Sequence, residues 1–341
     1  MKVAMYYGEN DIRIEEKLIP EIAEDEALVE MKACGICGSD LMDWYLKSRA
    51  PLVLGHEPAG IIAKKGGKVK DFDVGDKVFV HHHVACLNCH YCLRGDYTLC
   101  EQFHNTNIKP GGFAEYFKVP ASNLKIDTLK IPETITFEEA TFIEPVGCCV
   151  RALKKCGIQT GDSVAVIGVG AIGLIHVALS KIFGAAKTFA SDVVDYRLNV
   201  ARHFGADEIV NSMREDLAGV VKSETDGRGV DIVVVTAPSL EAYKTGLDAC
   251  RKGGKLCVFA PVEVGKYLHI SPKDLFFSEI WIIPSYSTSH LETRAALELI
   301  KSGMICVRDL ITHRFRLVEA AEAFKAARES KESLKVMVLN E

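Results

Sequence analysis

The glycine-rich turn from Gly168 to Gly173 restricts the fold of this 341-residue chain more than any other stretch. It reads GVGAIG, follows an apolar segment that begins at Ser163, and opens a segment with helical spacing that ends near Phe183. In a strand–turn–helix of this kind the glycines permit a tight turn and close approach of a pyrophosphate, and the helix N-terminus attracts the anion. The pattern alone is weak evidence, but its position predicts a dinucleotide site formed by Gly168, Gly170, Ala171, Ile172 and Gly173.

Asp192 indicates which dinucleotide is preferred. It closes the next predicted strand, 19 residues after Gly173. A carboxylate at this position accepts hydrogen bonds from the ribose hydroxyls and repels a 2′-phosphate, so NAD is favoured over NADP. Arg197 is close enough to flank the adenosine, which keeps NADP as the less favoured option. The alternative is a structural glycine turn beside a surface aspartate.

The chain divides into two regions of different pattern. Up to Pro132 it has short strands, many turns and almost no helical periodicity, which predicts a β-rich domain of barrel type. From Ser163 onward apolar strands alternate with helices, which predicts a parallel sheet covered on both faces. A single helix over Phe137–Lys155 is predicted between them. Near the end we expect helices Leu291–Lys301 and Val318–Arg328 and a strand Lys335–Leu339.

Four cysteines occupy fifteen residues: Cys86, Cys89, Cys92 and Cys100. Disulfides cannot easily join residues so close together, and an apolar cluster would not be interleaved with asparagine, histidine, arginine and aspartate. Four thiolates can surround Zn2+ tetrahedrally at about 2.3 Å. The spacing therefore predicts a structural zinc site with no position left for a substrate.

Four further residues are candidates for a second metal site: Cys37, His56, Glu57 and Glu144. Catalytic zinc takes three protein ligands of mixed type and keeps one open position. Cys37, His56 and Glu144 would supply those ligands, Glu57 could exchange in, and Asp40 could orient His56. Each has an ordinary alternative, since a single cysteine or histidine is more often packed in a core. Glu144 could equally be an acid at a helix start.

Composition excludes some classes of function. Hydrophobic residues make up 48% of the chain and charged residues 26%, and the formal net charge is −5. The absence of a basic patch argues against a nucleic-acid-binding protein. No apolar segment reaches the length of a membrane span, and no signal peptide is recognisable at the N-terminus. Twelve cysteines without a secretion signal predict reduced thiols and a cytoplasmic protein.

The order of these motifs carries a resemblance to a known family. Cys37-Gly-Ser-Asp, Gly55-His56-Glu57, the four-cysteine segment, Glu144-Pro145 and the glycine turn occur in the order that is typical of zinc-dependent medium-chain alcohol dehydrogenases. Within that family the chain is similar to the sorbitol dehydrogenase and L-threonine 3-dehydrogenase branch. The segment from Leu310 to Phe324 also resembles the C-terminal part of that branch.

The resemblance implies an α/β architecture of two domains. A GroES-like, β-rich catalytic domain with two zinc sites would comprise residues 1–150 and 285–341, and a doubly wound parallel Rossmann domain would comprise 151–284. Cys37, His56 and Glu144 would hold the catalytic zinc with Glu57 beside them, and the four cysteines would hold the structural zinc. Ser39 would pass the proton of the alcohol toward solvent. The implied cofactors are two Zn2+ per chain and NAD.

The implied activity is hydride transfer between NAD and a secondary alcohol of a polyol, sugar, sugar phosphate or hydroxy-amino acid. The alternatives are a metal-free reductase homologue and a zinc-lobe binding protein without catalysis. In one place the chain departs from its branch: Met42 stands where a histidine of the proton path is often found.

The expected partners are a small-molecule alcohol and further copies of the chain, in a homodimer or a homotetramer. Binding to nucleic acid or to a membrane is not expected.

Overall fold

The computed structural model describes residues 1–340 of the chain. Its strands are β1 Lys2–Gly8, β2 Asp11–Glu16, β3 Ala27–Gly35, β4 Leu52–Val53, β5 Pro58–Lys65, β6 Lys77–Val80, β7 Tyr116–Val119, β8 Thr128–Lys130, β9 Ser163–Ile167, β10 Lys187–Asp192, β11 Glu208–Asn211, β12 Val230–Val235, β13 Cys250–Val258, β14 Trp281–Pro284, β15 Ile311–Arg316 and β16 Lys335–Leu339.

The helices of the first third of the chain have four or five residues, and every helix of ten or more residues begins at Ile143 or later. They are α1 Asp43–Leu46, α2 Glu101–Asn105, α3 Ala121–Asp127, α4 Phe137–Ala140, α5 Ile143–Cys156, α6 Ala171–Ile182, α7 Asp195–His203, α8 Leu217–Ser223, α9 Leu240–Ala249, α10 Pro272–Ser278, α11 His290–Lys301 and α12 Ala320–Glu329. No helix within residues 1–340 has both the length and the apolar character required to cross a bilayer.

The chain forms two compact units. The first comprises Met1–Gly147 together with the residues from Ser287 onward, and the second comprises Cys148–Tyr286.

The first unit is built on a seven-stranded sheet. Its order is β15-β16-β3-β5-β6-β8, with β7 also paired to β3, and a smaller sheet has the order β2-β1-β4. Buried side chains such as Met31, Ile62 and Phe117 form its core. Strands β3 and β5 are antiparallel, with Cys34 opposite Pro58. The residues that follow β3 and those that precede β5 therefore meet at the same end of this pair, which brings Cys37 toward His56.

The second unit contains a parallel sheet of order β11-β10-β9-β12-β13-β14. All five strand pairs are parallel, and helices connect successive strands up to β13 and α10 precedes β14. The strand order reverses beside β9, which is the arrangement of a doubly wound dinucleotide-binding sheet. Because Gly168 follows β9 and Asp192 ends the neighbouring β10, both lie at the carboxyl edge next to this reversal. The predicted α/β fold class is confirmed.

The single helix predicted over Phe137–Lys155 is wrong. The structure has two helices there, α4 and α5. Thr136 and Glu139 form a capping box at the start of α4. Pro145 has no N–H to donate and its ring clashes with a carbonyl four residues earlier, so it is tolerated only in the first turn of a helix. A new helix therefore starts at Ile143 and places Glu144 in its first turn.

Candidate functional site

The four cysteines between Cys86 and Cys100 converge on one point. The Sγ atom of Cys92 lies 3.5 Å from that of Cys89 and 3.9 Å from that of Cys86, and all four sulfur atoms lie within 4.8 Å of one another. Thiolates held tetrahedrally at the zinc–sulfur bond length lie about 3.8 Å apart. The spacing of this thiol cluster therefore fits one Zn2+ bound by four cysteines.

The local backbone explains how so short a segment folds back on itself. Leu87 adopts φ 64° and Gly95 φ 81°, which are left-handed conformations that reverse the chain on both sides of Cys92. Backbone N–H groups of Asn88 and Cys89 donate to the Cys86 thiol, and these bonds lower its pKa to about 7 although desolvation opposes the change. Because zinc binds the thiolate form, such donors favour metal binding.

A second group of metal-binding side chains lies in the same unit. Ligand atoms of Cys37, His56 and Glu57 lie within 4.8 Å of one another. Cys37 lies two residues after the end of β3, and the His56-Glu57 pair directly precedes β5. Sulfur, nitrogen and oxygen donors of this kind match the mixed ligand sets of zinc sites that keep an open position. We refer to these three residues as the mixed-donor cluster.

Asp40 contacts two members of the mixed-donor cluster. Its Oδ1 atom lies 3.3 Å from Nδ1 of His56, and its Oδ2 atom accepts a hydrogen bond of 3.0 Å from the backbone N–H of Cys37. Burial lowers the pKa of His56, but the charges of Asp40 and Cys37 and hydrogen bonds to both outweigh it and raise the pKa well above its usual value. Surroundings that favour an imidazolium cation also favour a metal cation, so this environment fits Zn2+.

Glu144 lies outside the mixed-donor cluster but acts on it electrostatically. It is 5% exposed, in the first turn of α5. Its charge contributes to raising the pKa of the Glu57 carboxyl, for which burial is the larger cause. The structure therefore groups Glu57 with Cys37 and His56, and it makes Glu144 a neighbouring carboxylate.

Two neighbours of the cluster have no counterpart in the sequence-based prediction. The ammonium of Lys335, at the start of β16, contacts Oε2 of Glu57. The ring of His82 lies 5.1 Å from that of His56 and 4.0 Å from that of His83, measured between centroids. Ser39 is half-buried in a 3₁₀ helix, Gly38–Leu41, directly after Cys37. His82 is the middle residue of three consecutive histidines, His81 to His83, a sequence signal that could have marked it, whereas nothing local marks Lys335.

The glycine turn has the shape that a bound pyrophosphate requires. Gly168 adopts φ 92°, and a Cβ atom there would lie 2.8 Å from the backbone nitrogen of Ala237. A Cβ atom on Gly173 would lie 2.0 Å from the carbonyl oxygen of Gly168, so only glycine lets α6 pack this closely. A Cβ atom on Gly170 would meet nothing within 4 Å. The space at the N-terminus of α6 is thus open, beside the backbone N–H groups of Ala171 and Ile172.

Asp192 is held rigidly at the end of β10. Its Oδ2 atom accepts from the backbone N–H of Val169 at 2.8 Å, and its Oδ1 atom accepts from those of Val193 and Val194 at 2.8 and 3.0 Å. The carboxylate is 8% exposed, and Oδ2, which accepts only one of these bonds, retains a further lone pair for a ligand hydroxyl. Arg197 lies on α7, and its Nε atom is buried without a hydrogen-bond partner among residues 1–340.

Comparison with known proteins gives matches over nearly the whole chain. The family profile described as alcohol dehydrogenase GroES-like domain matches residues 23–133, and the profile described as zinc-binding dehydrogenase matches residues 171–302. Sorbitol dehydrogenase of Bacillus subtilis (strain 168) is 34% identical over 348 residues, covering 99% of this chain and 97% of the relative.

Two further proteins also match this chain over nearly its whole length. L-threonine 3-dehydrogenase of Caldanaerobacter subterraneus subsp. tengcongensis is 35% identical over 329 residues, covering 93% of this chain and 92% of the relative. A crystal structure from Sinorhizobium meliloti 1021, described as a zinc-binding dehydrogenase bound to NADP, superposes with a TM-score of 0.88 at 29% identity, covering 99% of this chain and 98% of that one.

Proposed function

The chain belongs to the zinc-dependent medium-chain alcohol dehydrogenase family, and on that premise we propose that it oxidises a small polyol, sugar phosphate or L-threonine-like hydroxy-amino acid with NAD. It is an NAD(P)-linked alcohol or polyol dehydrogenase. To this family-level activity the proposal adds a preference for NAD over NADP, a content of two zinc ions per chain, and the residues that would hold each ion. Cys37, His56 and Glu144, with Glu57 able to exchange in, would hold the catalytic ion, and the thiol cluster would hold the structural ion.

The observation that carries this proposal is the close approach of Cys37 and His56, two members of the mixed-donor cluster, with Asp40 in contact with both. When bound, zinc lowers the pKa of an alcohol and the nicotinamide accepts its hydride. Cys37 and His56 supply soft and borderline donors, and Asp40 fixes the orientation of the His56 ring through Nδ1. Ser39, next to Cys37, is our candidate for moving the released proton toward solvent.

The preference for NAD is supported by Asp192. Its carboxylate is fixed by three backbone N–H groups and carries the charge that would oppose a 2′-phosphate. The related structure from Sinorhizobium meliloti 1021 is described as bound to NADP, so NADP remains the less favoured option in our proposal. In this chain Arg197 is the residue whose positive charge could offset the negative charge of a 2′-phosphate.

The substrate class is taken from the relatives. Sorbitol and L-threonine, the substrates named for two of them, both carry a secondary alcohol beside a polar substituent. A secondary alcohol with a neighbouring hydroxyl or amino group is therefore the substrate that we expect.

Metal analysis with a substrate screen tests the proposal. We expect two zinc ions per chain by elemental analysis, and NADH formation at 340 nm with at least one member of a panel of polyols, sugar phosphates and L-threonine. Cys37→Ser should lower the zinc content to one per chain and abolish turnover while NADH binding, followed by fluorescence, is retained. Cys306→Ser, at an exposed cysteine, is the control. One zinc per chain in the unaltered protein would instead favour the metal-free reductase.

We also propose that the chain forms a homodimer or a homotetramer through the edge of the second sheet. β14 is the last strand in the sheet order, and its Trp281 is 65% exposed. Phe276 and Phe277 of the preceding α10 are 75% and 69% exposed. An apolar edge strand is a template for pairing with a second copy of the chain.

Light scattering should give at least twice the mass of the monomer, and Trp281→Glu should lower the measured mass. A monomeric unaltered protein would contradict this assembly.

A further inference from the structure

Strands β12 and β13 of the second unit lose their regular register at their amino ends. Val230 lies opposite Cys250 and Ile232 lies opposite Lys255, so a single residue of β12 faces residues 251–254 of β13. We refer to residues 251–254 as the β13 bulge. A bulge changes the direction of the side chains that it carries, and bulges are frequent beside functional sites.

Two glycines allow the β13 bulge to form. Gly253 adopts φ 69°, a left-handed conformation that favours glycine. A Cβ atom on Gly254 would lie 2.6 Å from the Sγ atom of Cys250 and 2.9 Å from the carbonyl oxygen of Arg251, so a larger residue would not fit without a shift. The two glycines thus hold Arg251 and Lys252 out of register with β12.

The guanidinium group of Arg251 is held in one orientation. Its Nε atom donates to Oδ1 of Asp231 at 2.6 Å, and its Nη1 atom donates to the carbonyl oxygen of Lys252 at 2.7 Å. Oδ2 of Asp231 in turn accepts from the backbone N–H and the hydroxyl of Ser163, at 2.8 and 2.7 Å. These bonds use Nε and Nη1, which leaves Nη2 for a ligand. A group that is already fixed loses little entropy when it binds.

An open recess of about 500 Å3 lies at the β13 bulge, lined by Gly227, Arg228, Asp231, Arg251 and Lys252. All five residues belong to the second unit. Arg251 balances the charge of Asp231, whereas Arg228 and Lys252 are exposed and form no ion pair with any residue in the range 1–340. A Cβ atom on Gly227 would meet nothing within 4 Å. The recess is therefore accessible and carries unbalanced positive charge.

The recess lies at the opposite edge of the parallel sheet from the glycine turn. Asp231 is the second residue of β12 and bonds to Ser163, the first residue of β9, whereas Gly168 follows the end of β9. The five residues of β9 span roughly 17 Å at about 3.3 Å per residue. A ligand in the recess would therefore leave the pyrophosphate position at the start of α6 free.

We propose that this recess binds a dianionic phosphate group, as free phosphate or as part of a small phosphorylated metabolite. Arginine binds two phosphate oxygens at once through its planar fork, and lysine adds a point charge. The fixed guanidinium of Arg251 and the two unpaired cations, Arg228 and Lys252, favour a dianion over a single carboxylate. The volume is that of an ordinary small-molecule site, so an organic group fits beside the phosphate. Neither a metal ion nor the alcohol substrate is needed at this site.

Calorimetric titration with inorganic phosphate tests the proposal, on the holoenzyme saturated with NADH so that the dinucleotide site is filled. We expect one phosphate per chain at low ionic strength. Arg228→Ala with Lys252→Ala should raise the Kd at least about tenfold, because two charged donors are lost. Both side chains are exposed, so the double variant should keep its Tm, and either single variant serves if it does not fold.

The matched control is Lys244→Ala with Lys266→Ala. It removes the same charge from two exposed lysines of the second unit, each of which pairs with a glutamate three residues earlier, and it should keep the Kd of phosphate. AMP in the same titration identifies the source of the phosphate group. A Kd below that of inorganic phosphate would indicate a phosphorylated metabolite, and an equal or higher Kd would indicate free phosphate.

Three results would overturn the proposal. The first is the absence of saturable phosphate binding, and the second is an unchanged Kd in Arg228→Ala with Lys252→Ala, which would place the phosphate elsewhere. The third is a matched control that weakens binding as much as this double variant. Binding would then depend on the net charge of the chain alone, and the phosphate would be an adventitious ion only.

Discussion

Oδ1 of Asp40 lies 3.3 Å from Nδ1 of His56, while the other oxygen of the same carboxylate accepts the backbone N–H of Cys37. One buried side chain thus positions two residues that approach the same point from different strands. Such an arrangement selects one ring orientation of the histidine and strengthens it as a metal ligand.

Asp40→Ala should weaken zinc binding at the mixed-donor cluster by about 10- to 100-fold, the range found for lost partners of metal-binding histidines. Competition with a chromophoric chelator measures the affinity. Asp43→Ala is the control, since Asp43 lies three residues further on, at the start of α1, and accepts a hydrogen bond from Tyr6 instead. Equal zinc affinity in Asp40→Ala and the unaltered protein would contradict the role given to Asp40.

Cys89→Ser should destabilise the protein by roughly 4 kcal/mol or more, because loss of a metal site is among the few changes with effects of that size. For a unit of this size that corresponds to a fall of roughly 8–16 °C in Tm. Calorimetry together with zinc content is the measurement, and Cys306→Ser is again the control. A Tm within about 2 °C of that of the unaltered protein would show that the thiol cluster is not a structural zinc site.

Gly170→Ala and Gly173→Ala should have different effects: the first should weaken NADH binding, and the second should lower the free energy of unfolding. A methyl group on Gly170 meets no protein atom, so stability should be unchanged while the Kd of NADH rises about tenfold, because the methyl group blocks the approach of the pyrophosphate. A methyl group on Gly173 collides with the Gly168 carbonyl and should cost about 1–3 kcal/mol of unfolding free energy. Chemical denaturation and NADH fluorescence are the two measurements. Unchanged NADH affinity in Gly170→Ala would place the pyrophosphate elsewhere.

Asp192→Ser should reduce the preference for NAD. We expect the ratio of kcat/KM for NAD to that for NADP to fall by roughly 10- to 100-fold, equivalent to about 1.4–2.8 kcal/mol. Asp195→Asn is a suitable control, because Asp195 is an exposed acid three residues after Asp192, at the start of α7, and it pairs with Arg214. If both variants keep the original ratio, selectivity does not depend on Asp192.

Elements with a strong local signal were predictable from the sequence. The glycine turn, the helix after it and the apolar strands of the second unit each carry their own pattern, and the structure has them. The final strand, β16, spans the predicted residues Lys335–Leu339. The short helices α1 to α3 and the α10–β14 segment were not predicted, since segments of four to seven residues show little periodicity.

The arrangement of the candidate site was only partly predictable. Cys37 and His56 are close because β3 and β5 pair in one register, and sequence spacing alone does not determine a register. Whether Glu57 or Glu144 is nearer to them depends on where α5 begins. Lys335 is separated from Glu57 by the whole second unit, so its contact with Glu57 exists only in the folded sheet.

That separation has a consequence for biosynthesis. On the ribosome β3 and β5 emerge early, whereas β16 is translated only after every residue of the second unit. During that interval the edge of β3 that later pairs with β16 is open, and Glu57 has no ammonium beside it. The order of translation therefore makes the pairing of β16 with β3 the step that brings the Lys335 ammonium to the Glu57 carboxylate.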